Sequence, residues 1–171
     1  MTRRALALLL LLGGCQREAA TPRDDAGSRL ERAAVAAGIV ADPSRIDLTG
    51  AWARETDRLC IVPGQGSATD QGQGRDRRIG VLVDYGEGQG CAASGTLRRR
   101  GEIAAIAFGA CRFDARIDGE HIVFPAELPA TCDSLCTGRA SLSALSVDRV
   151  SASASEAAQL RTPSGRALCG S

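Results

Sequence analysis

The sequence predicts a small, mainly β domain, an antiparallel meander, barrel or sandwich that is cross-linked by disulfides and preceded by a short N-terminal helix. Three observations support this fold class. Apolar and polar residues alternate with a period of two in several segments after residue 48, as in half-buried strands. Glycine-containing turns separate these segments, among them Asp118-Gly119, a strong hairpin signal. Six of the seven cysteines also follow residue 48, which favours a disulfide framework in an exported chain.

The chain begins with the features of an export leader. Arg3 and Arg4 are followed by an apolar run from Ala5 to Leu12 and by the small pair Gly13-Gly14, which suits a signal peptidase cut. The apolar run is too short to cross a bilayer, because a spanning helix takes about 20 residues. We therefore assign residues 1–14 to a signal peptide.

The residue after the small pair is a cysteine, and Leu12-Gly13-Gly14-Cys15 resembles the lipobox of bacterial lipoproteins. The resemblance implies that Cys15 is diacylated with palmitate-type chains and becomes the N-terminus of the mature protein. Two or more chains anchor a protein stably where one is marginal. In the Gram-negative lipoproteins that it resembles, Gln16 in place of aspartate implies an outer-membrane protein facing the periplasm. The alternative is an ordinary cleaved signal whose Cys15 joins a disulfide.

Two short segments precede the β domain. Residues 15–27 are interpreted as the acylated cysteine and a flexible tether, because they are polar and have no apolar periodicity. Ser28 and Glu31 have the spacing of a capping box, and Gly38 supplies a stop signal. The pattern predicts a short helix over residues 28–40.

The disulfide-linked β domain is assigned to residues 48–171. Its first predicted strand covers Leu59 to Val62 and ends at Pro63, because proline cannot donate to a continuing ladder. A long polar connection over residues 63–78 then leads to an alternating strand from Ile79 to Tyr85.

Two hairpins follow, and the turn signals set their expected pairing. The predicted strands and turns are Cys91–Arg99, Arg100-Gly101 and Glu102–Phe108, then Cys111–Ile117, Asp118-Gly119 and Glu120–Phe124. If Asp118-Gly119 is a two-residue turn, Phe113 faces Phe124 on the buried side of the sheet. Arg112 and Arg116 then point to solvent, as one wet face of an antiparallel sheet requires.

The last part of the chain is less regular. Residues 139–150 are predicted to form a further strand that contains a bulge. Residues 151–159 have weak helical character, and the cysteine at position 169 indicates that the tail is linked back to the domain.

The cysteines after Cys15 are the disulfide candidates, because the compartment beyond the inner membrane is oxidising. Their pairing is left open, and the candidates are Cys60, Cys91, Cys111, Cys132, Cys136 and Cys169. A metal site is disfavoured, since the chain has no Cys-x-x-Cys pair and its one histidine has no cysteine at a zinc-ligand spacing. We therefore expect neither a metal nor a cofactor.

Charge composition excludes several functions. The chain has 21 basic and 20 acidic residues, which is not the strongly basic balance of a nucleic-acid binder. All the basic residues are arginine, and the absence of lysine excludes a Walker-A phosphate site and a Schiff-base enzyme. The run Arg98-Arg99-Arg100 is interpreted as a solvated sheet edge.

The sequence predicts no catalytic residue and therefore no enzyme. His121 is the single histidine, and Ser94, Ser134 and Ser141 are the serines considered as its partners. No Gly-x-Ser-x-Gly elbow occurs, and the hairpin pattern turns His121 toward solvent.

These observations predict a non-catalytic binding or structural module of the bacterial envelope, attached to the membrane by its lipid anchor. We expect an envelope protein or a cell-wall component as partner, and no nucleic acid. Gly50-Ala51-Trp52 is similar to the Gly-x-Trp that opens lipocalins and other small meander barrels, which implies a small-ligand carrier as one alternative. The other is a lysozyme-type hydrolase inhibitor, because such inhibitors include small disulfide-linked β-barrel lipoproteins. A carrier requires an apolar cavity inside the barrel, whereas an inhibitor requires a filled core and a protruding loop.

Overall fold

The structure of the protein is a computed structural model, and it describes residues 26–40, 42, 46–64 and 76–170. The predicted signal peptide, Cys15 and most of the tether lie outside the described residues, as do residues 65–75 of the long connection. The chain divides into two compact units, Met1–Val40 and Ala41–Ser171, and each is described by itself.

The first unit contains the helix α1, Ala26–Ala36. The helix begins two residues before Ser28, so Ser28 lies inside the first turn and is not the predicted cap. It ends before Gly38, which has a positive φ of 70° that suits glycine at a helix C-terminus. None of the residues of α1 is buried.

The second unit is a closed antiparallel barrel. The strands in chain order are β1 (Gly50–Arg54), β2 (Asp57–Pro63), β3 (Asp76–Asp84), β4 (Gly90–Arg100), β5 (Ile103–Phe108), β6 (Cys111–Asp118), β7 (His121–Val123), β8 (Cys136–Thr137) and β9 (Ser146–Ser151). All except the short β8, which pairs with β4, form an eight-stranded ring in which neighbours in space are neighbours along the chain. The ring closes where β9 pairs with β1. The predicted mainly β, antiparallel fold is confirmed, and the barrel is the form that the structure adopts.

The barrel interior is filled by alternating side chains. Its largest fully buried side chains include Trp52, Phe124, Leu59, Ile61, Ile79, Leu97, Ile117 and Ile122. The connection from β7 to β9, residues 124–145, packs Leu142 and Leu145 against this core and carries a 3-10 helix, Ala130–Leu135. We call this connection the plug, because it lies at the barrel end where β4 and β6 begin. At the opposite end, where β1 begins, Leu48 is 1% exposed and joins the same core.

The C-terminal tail covers part of the outer surface. The short helix α2, Ala154–Ala157, and residues 158–170 form a second apolar cluster with Cys60 and Val62 of β2. Gly80 of β3 permits this approach, since a Cβ there would lie 2.7 Å from the Leu168 Cβ. The predicted attachment of the tail to the domain is confirmed.

The turn of the β6–β7 hairpin lies one residue later than predicted. Asp118 pairs with His121 and Ile117 with Ile122, so the turn residues are Gly119 and Glu120. Gly119 has a φ of 58°, and glycine takes the first turn position because that position needs a positive φ. The Phe113–Phe124 pairing was therefore wrong by two residues. A two-residue shift preserves the faces, and Phe124 is buried while Arg116 is exposed.

Further strand limits also differ from the prediction. The first hairpin turns at Gly101-Glu102, because Arg100 pairs with Ile103. β3 begins at Asp76, within the predicted loop, and ends before Tyr85, which is 59% exposed. The last strand begins only at Ser146, because the preceding residues belong to the plug.

Candidate functional site

The six predicted disulfide cysteines form three bonds. These are Cys60–Cys169, Cys91–Cys136 and Cys111–Cys132. The first holds the tail on β2, and the other two hold the plug on β4 and β6. The described cysteines therefore include no free thiol that could act as a nucleophile. Cys15 lies outside the described residues.

Three inward-facing arginines lie at the barrel end where β1 begins. Arg99 donates to the carbonyl oxygen of Ile46, Arg149 donates to that of Asp47, and Arg77 donates to Thr49 Oγ1 at 2.6 Å. Arg99 is only 8% exposed, so the prediction that the whole run of residues 98–100 is solvated was wrong at its central residue. Strand alternation explains the difference, because it turns every second side chain inward.

These arginines fasten residues 46–49 over the barrel end. Trp52 Nε1 donates to the carbonyl oxygen of Leu48 at 3.2 Å, and the guanidinium carbon of Arg149 lies 5.0 Å from the Trp52 ring centroid. Burial, followed by the neighbouring positive charge of Arg77, lowers the pKa of Arg99. The cluster bonds to backbone carbonyls, to the Thr49 hydroxyl and to the Asp47 carboxylate of the same chain, so we interpret it as a structural closure.

Ser94 of β4 donates to the Leu168 carbonyl oxygen of the tail, but the outer surface formed by β4 from Thr96 onward and by β5, β6, β7 and β9 carries exposed side chains. We call it the open face. Its β5 positions are Ile103, which is 39% exposed, and the small residues Ala105 and Ala107. The two alanines are flanked in register by longer side chains of β4 and β6. A groove of about 570 Å³ therefore runs along β5.

The groove along β5 is lined with charged groups. Arg98 forms a two-point ion pair with Asp76, at 2.9 and 3.0 Å, and hydrogen bonding to Asp76 raises the pKa of Arg98. Arg100 and Arg112 also line the groove, and neither forms an ion pair with a residue in the described part of the chain. Two guanidinium groups are thus free to meet an anionic ligand.

A second arrangement on the open face brings together a serine, a histidine and an aspartate. Ser146 Oγ lies 3.0 Å from His121 Nε2, and His121 Nδ1 lies 2.7 Å from Asp148 Oδ1. An ionised carboxylate only accepts hydrogen bonds, so Nδ1 carries the proton and Nε2 of the neutral ring accepts from the Ser146 hydroxyl. Strand geometry produces this order, because residues 146 and 148 share one face of β9 and Asp148 of β9 pairs directly with His121 of β7.

Asp148 is held from two sides. Its Oδ2 accepts from Arg54 Nη2 at 3.1 Å while its Oδ1 faces His121. The hydrogen bond from His121, followed by that from Arg54, lowers the pKa of Asp148. Asp148 is therefore ionised at neutral pH and orients the imidazole.

A smaller groove of about 340 Å³ lies beside this histidine. Val123, Phe124 and Pro125 supply its apolar lining, and Arg116 and His121 line it with two aspartates, Asp114 and Asp118. Arg116 is 68% exposed, and its guanidinium lies 3.6 Å from the Asp118 carboxylate. The groove is large enough for a small organic group.

The serines that the sequence suggested as partners of His121 are bonded elsewhere. Ser94 donates to the Leu168 carbonyl, Ser134 donates to the Thr131 carbonyl, and Ser141 accepts from the Ser143 N–H. The spacing of Ser146 and Asp148 on one strand was the available signal for the true partners. It was missed because the pairing of that strand with β7 is a long-range contact that periodicity does not reveal.

Comparison with known proteins identifies no relative for this barrel. The chain matches no protein-family model, no curated protein and no solved structure at a significant level of similarity.

Two further features are absent from the described residues. No group of three or more His, Cys, Asp or Glu among them is arranged to hold a metal ion. No helix in the described ranges is long and apolar enough to span a membrane.

Proposed function

We propose that this chain is a lipid-anchored protein of the bacterial envelope whose barrel binds a partner through its open face. The observation that carries the binding proposal is the groove along β5, where Arg100 and Arg112 face solvent without an ion-pair partner in the described chain. The lipobox at Leu12–Cys15 supports the anchor, and Gln16 supports an outer-membrane position facing the periplasm.

The filled interior favours binding on the outside of the barrel. Trp52 and Phe124 are among the large side chains that occupy the interior, and the plug and residues 46–49 pack against the two ends of that core. A lipocalin-like carrier would need an apolar cavity there. A filled core instead favours the lysozyme-type hydrolase inhibitor, which is our second candidate. Loss of lysozyme activity on addition of the purified protein would support the inhibitor, and unchanged activity would exclude it for that enzyme.

The chemistry of the groove favours a partner with carboxylate or phosphate groups. Guanidinium groups pair with both in two-point geometry, and a hydrogen bond to a charged group contributes about 1.5–3 kcal/mol. An anionic cell-wall component is the partner that we propose to test.

Co-sedimentation of the purified full chain with isolated cell walls tests the groove. The double variant Arg100→Glu/Arg112→Glu should bind at least about tenfold more weakly, since about 1.4 kcal/mol already corresponds to tenfold. Arg139→Glu/Arg166→Glu makes the same charge change on exposed residues outside the groove and should bind like the wild type. Equal binding by both double variants would refute the groove as the binding site.

Metabolic labelling tests the anchor independently. A palmitate analogue should label the wild-type chain and should not label Cys15→Ser. Equal labelling of the two chains would refute the lipid anchor without affecting the groove experiment.

A further inference from the structure

We infer that the open face also carries a nucleophilic serine site, in which Ser146 attacks the acyl carbon of a small carboxylic ester. The inference goes beyond the proposed binding role and does not depend on it. It rests on the two contacts that join Ser146, His121 and Asp148 at 3.0 and 2.7 Å. It differs from the prediction that the chain is not an enzyme. That prediction weighed Ser94, Ser134 and Ser141 as partners of His121, and Ser146 was not among them.

The order of atoms is the one that acyl transfer needs. The hydroxyl of the nucleophile must reach an imidazole nitrogen that can accept its proton, and the other ring nitrogen must be held by a carboxylate. Ser146 Oγ contacts Nε2, and Asp148 contacts Nδ1. Ser146 and His121 are then the catalytic residues, and Asp148 is a positioning residue.

Stability alone does not require this arrangement. The side chains of His121 and Asp148 are 30% and 54% exposed, so water can satisfy the same polar atoms, and exposed ion pairs stabilise a fold by only about 0–1 kcal/mol. The site is therefore accessible to a ligand from solution.

The neighbouring residues provide space for the acyl group and charge for the transition state. Val123 pairs with Ser146 on one side and with Arg116 on the other, so the three residues form one row across the open face. Opposed Cβ atoms are about 5 Å apart, which places Arg116 and Ser146 about 10 Å apart at Cβ. An acyl group over Val123 would then have its carbonyl carbon near Ser146. The Arg116 guanidinium lies 3.6 Å from the Asp118 carboxylate, so it would turn toward Val123 to stabilise the developing oxyanion.

The reaction consumes one ester and one water molecule, and needs no oxidant, reductant or other reagent. The Ser146 Oγ–carbon bond forms while His121 Nε2 takes the hydroxyl proton, and the π electrons of the carbonyl move to its oxygen to give a tetrahedral oxyanion. The bond between the carbonyl carbon and the alkoxy oxygen then breaks, and His121 returns the proton to the leaving alcohol. Water repeats the two steps on the acyl-serine, releasing the carboxylic acid and restoring the Ser146 hydroxyl.

A fluorophosphonate probe tests the nucleophile on the full chain, because it forms a stable bond with an activated serine. We expect labelling of the wild type, located at Ser146 by peptide mass spectrometry. Ser146→Ala should remove the label, and His121→Ala and His121→Gln should slow labelling at least tenfold. Ser141→Ala is the matched control, since Ser141 does not contact His121, and should label like the wild type.

A second set of variants separates catalysis from folding. Asp148→Asn should slow labelling with little change in the urea midpoint. Asp148→Glu should restore part of the labelling rate that Asp148→Asn loses. Arg116→Gln should slow hydrolysis of p-nitrophenyl acetate. Absence of label on the wild type, label at another residue, or equal labelling of folded His121 variants would each overturn the site.

Discussion

Replacing Phe124 by alanine removes one of the largest side chains of the barrel core. Phe124 is 2% exposed, and its ring centroid lies 4.8 Å from that of Phe113 at an interplanar angle of 60°. Truncation of a buried phenylalanine costs about 3–5 kcal/mol, because it loses transfer free energy and leaves a cavity. Arg116 is on the opposite face of the same hairpin and is 68% exposed. Its replacement by alanine should change the unfolding free energy by less than about 0.5 kcal/mol.

Urea denaturation of the oxidised protein measures this contrast. Trp52 is the single tryptophan and is 1% exposed, so its fluorescence reports the opening of the barrel. With an m value of about 2 kcal/mol per molar urea, Phe124→Ala should lower the midpoint by about 2 M, and Arg116→Ala should leave it nearly unchanged. A larger loss of stability in Arg116→Ala would mean that the two faces of the β6–β7 hairpin are exchanged, and the barrel core described above would be wrong.

Two further predictions concern the disulfides and the pH dependence of stability. Peptide mapping without reduction should find only the pairs Cys60–Cys169, Cys91–Cys136 and Cys111–Cys132. Replacing Cys169 by serine should lower the unfolding free energy by about 2–5 kcal/mol, because the tail is no longer held on β2. A different pairing, or an unchanged urea midpoint of Cys169→Ser, would contradict the tail assignment. The second concerns pH. The pKa of Asp47 is lowered overall. Burial acts to raise this pKa, but the hydrogen bond from the Thr49 N–H and the charge of Arg77 lower it by more. A lowered pKa in the folded state stabilises the fold above the unfolded value, so wild type should exceed Asp47→Asn in stability at neutral pH, by less than about 1 kcal/mol because the carboxylate is 66% exposed. This difference should disappear as the pH falls below about 4, and a difference that grows in acid would show that the sign is wrong.

Local sequence determined most of the strands and the side of each of these strands that is buried, but it predicted neither β1 nor β8. The two-residue alternation of Ile79, Val81 and Val83 assigns them to one face, and all three are buried. Turn glycines placed the hairpins to within one residue, because a positive φ at the first turn position is a local requirement that glycine meets. The even number of cysteines after Cys15 likewise indicated three disulfides before their partners were known.

Tertiary structure decided which distant residues meet. Closure of the barrel depends on the pairing of β1 with β9, about 100 residues apart, and the alternation of each strand is equally compatible with a sandwich. The disulfide pairs follow from where the plug and the tail lie, so spacing alone left them open. The contact of Ser146 with His121 arises in the same way. Local sequence shows the spacing of Ser146 and Asp148 on one strand, but only long-range pairing of β9 with β7 brings His121 to them.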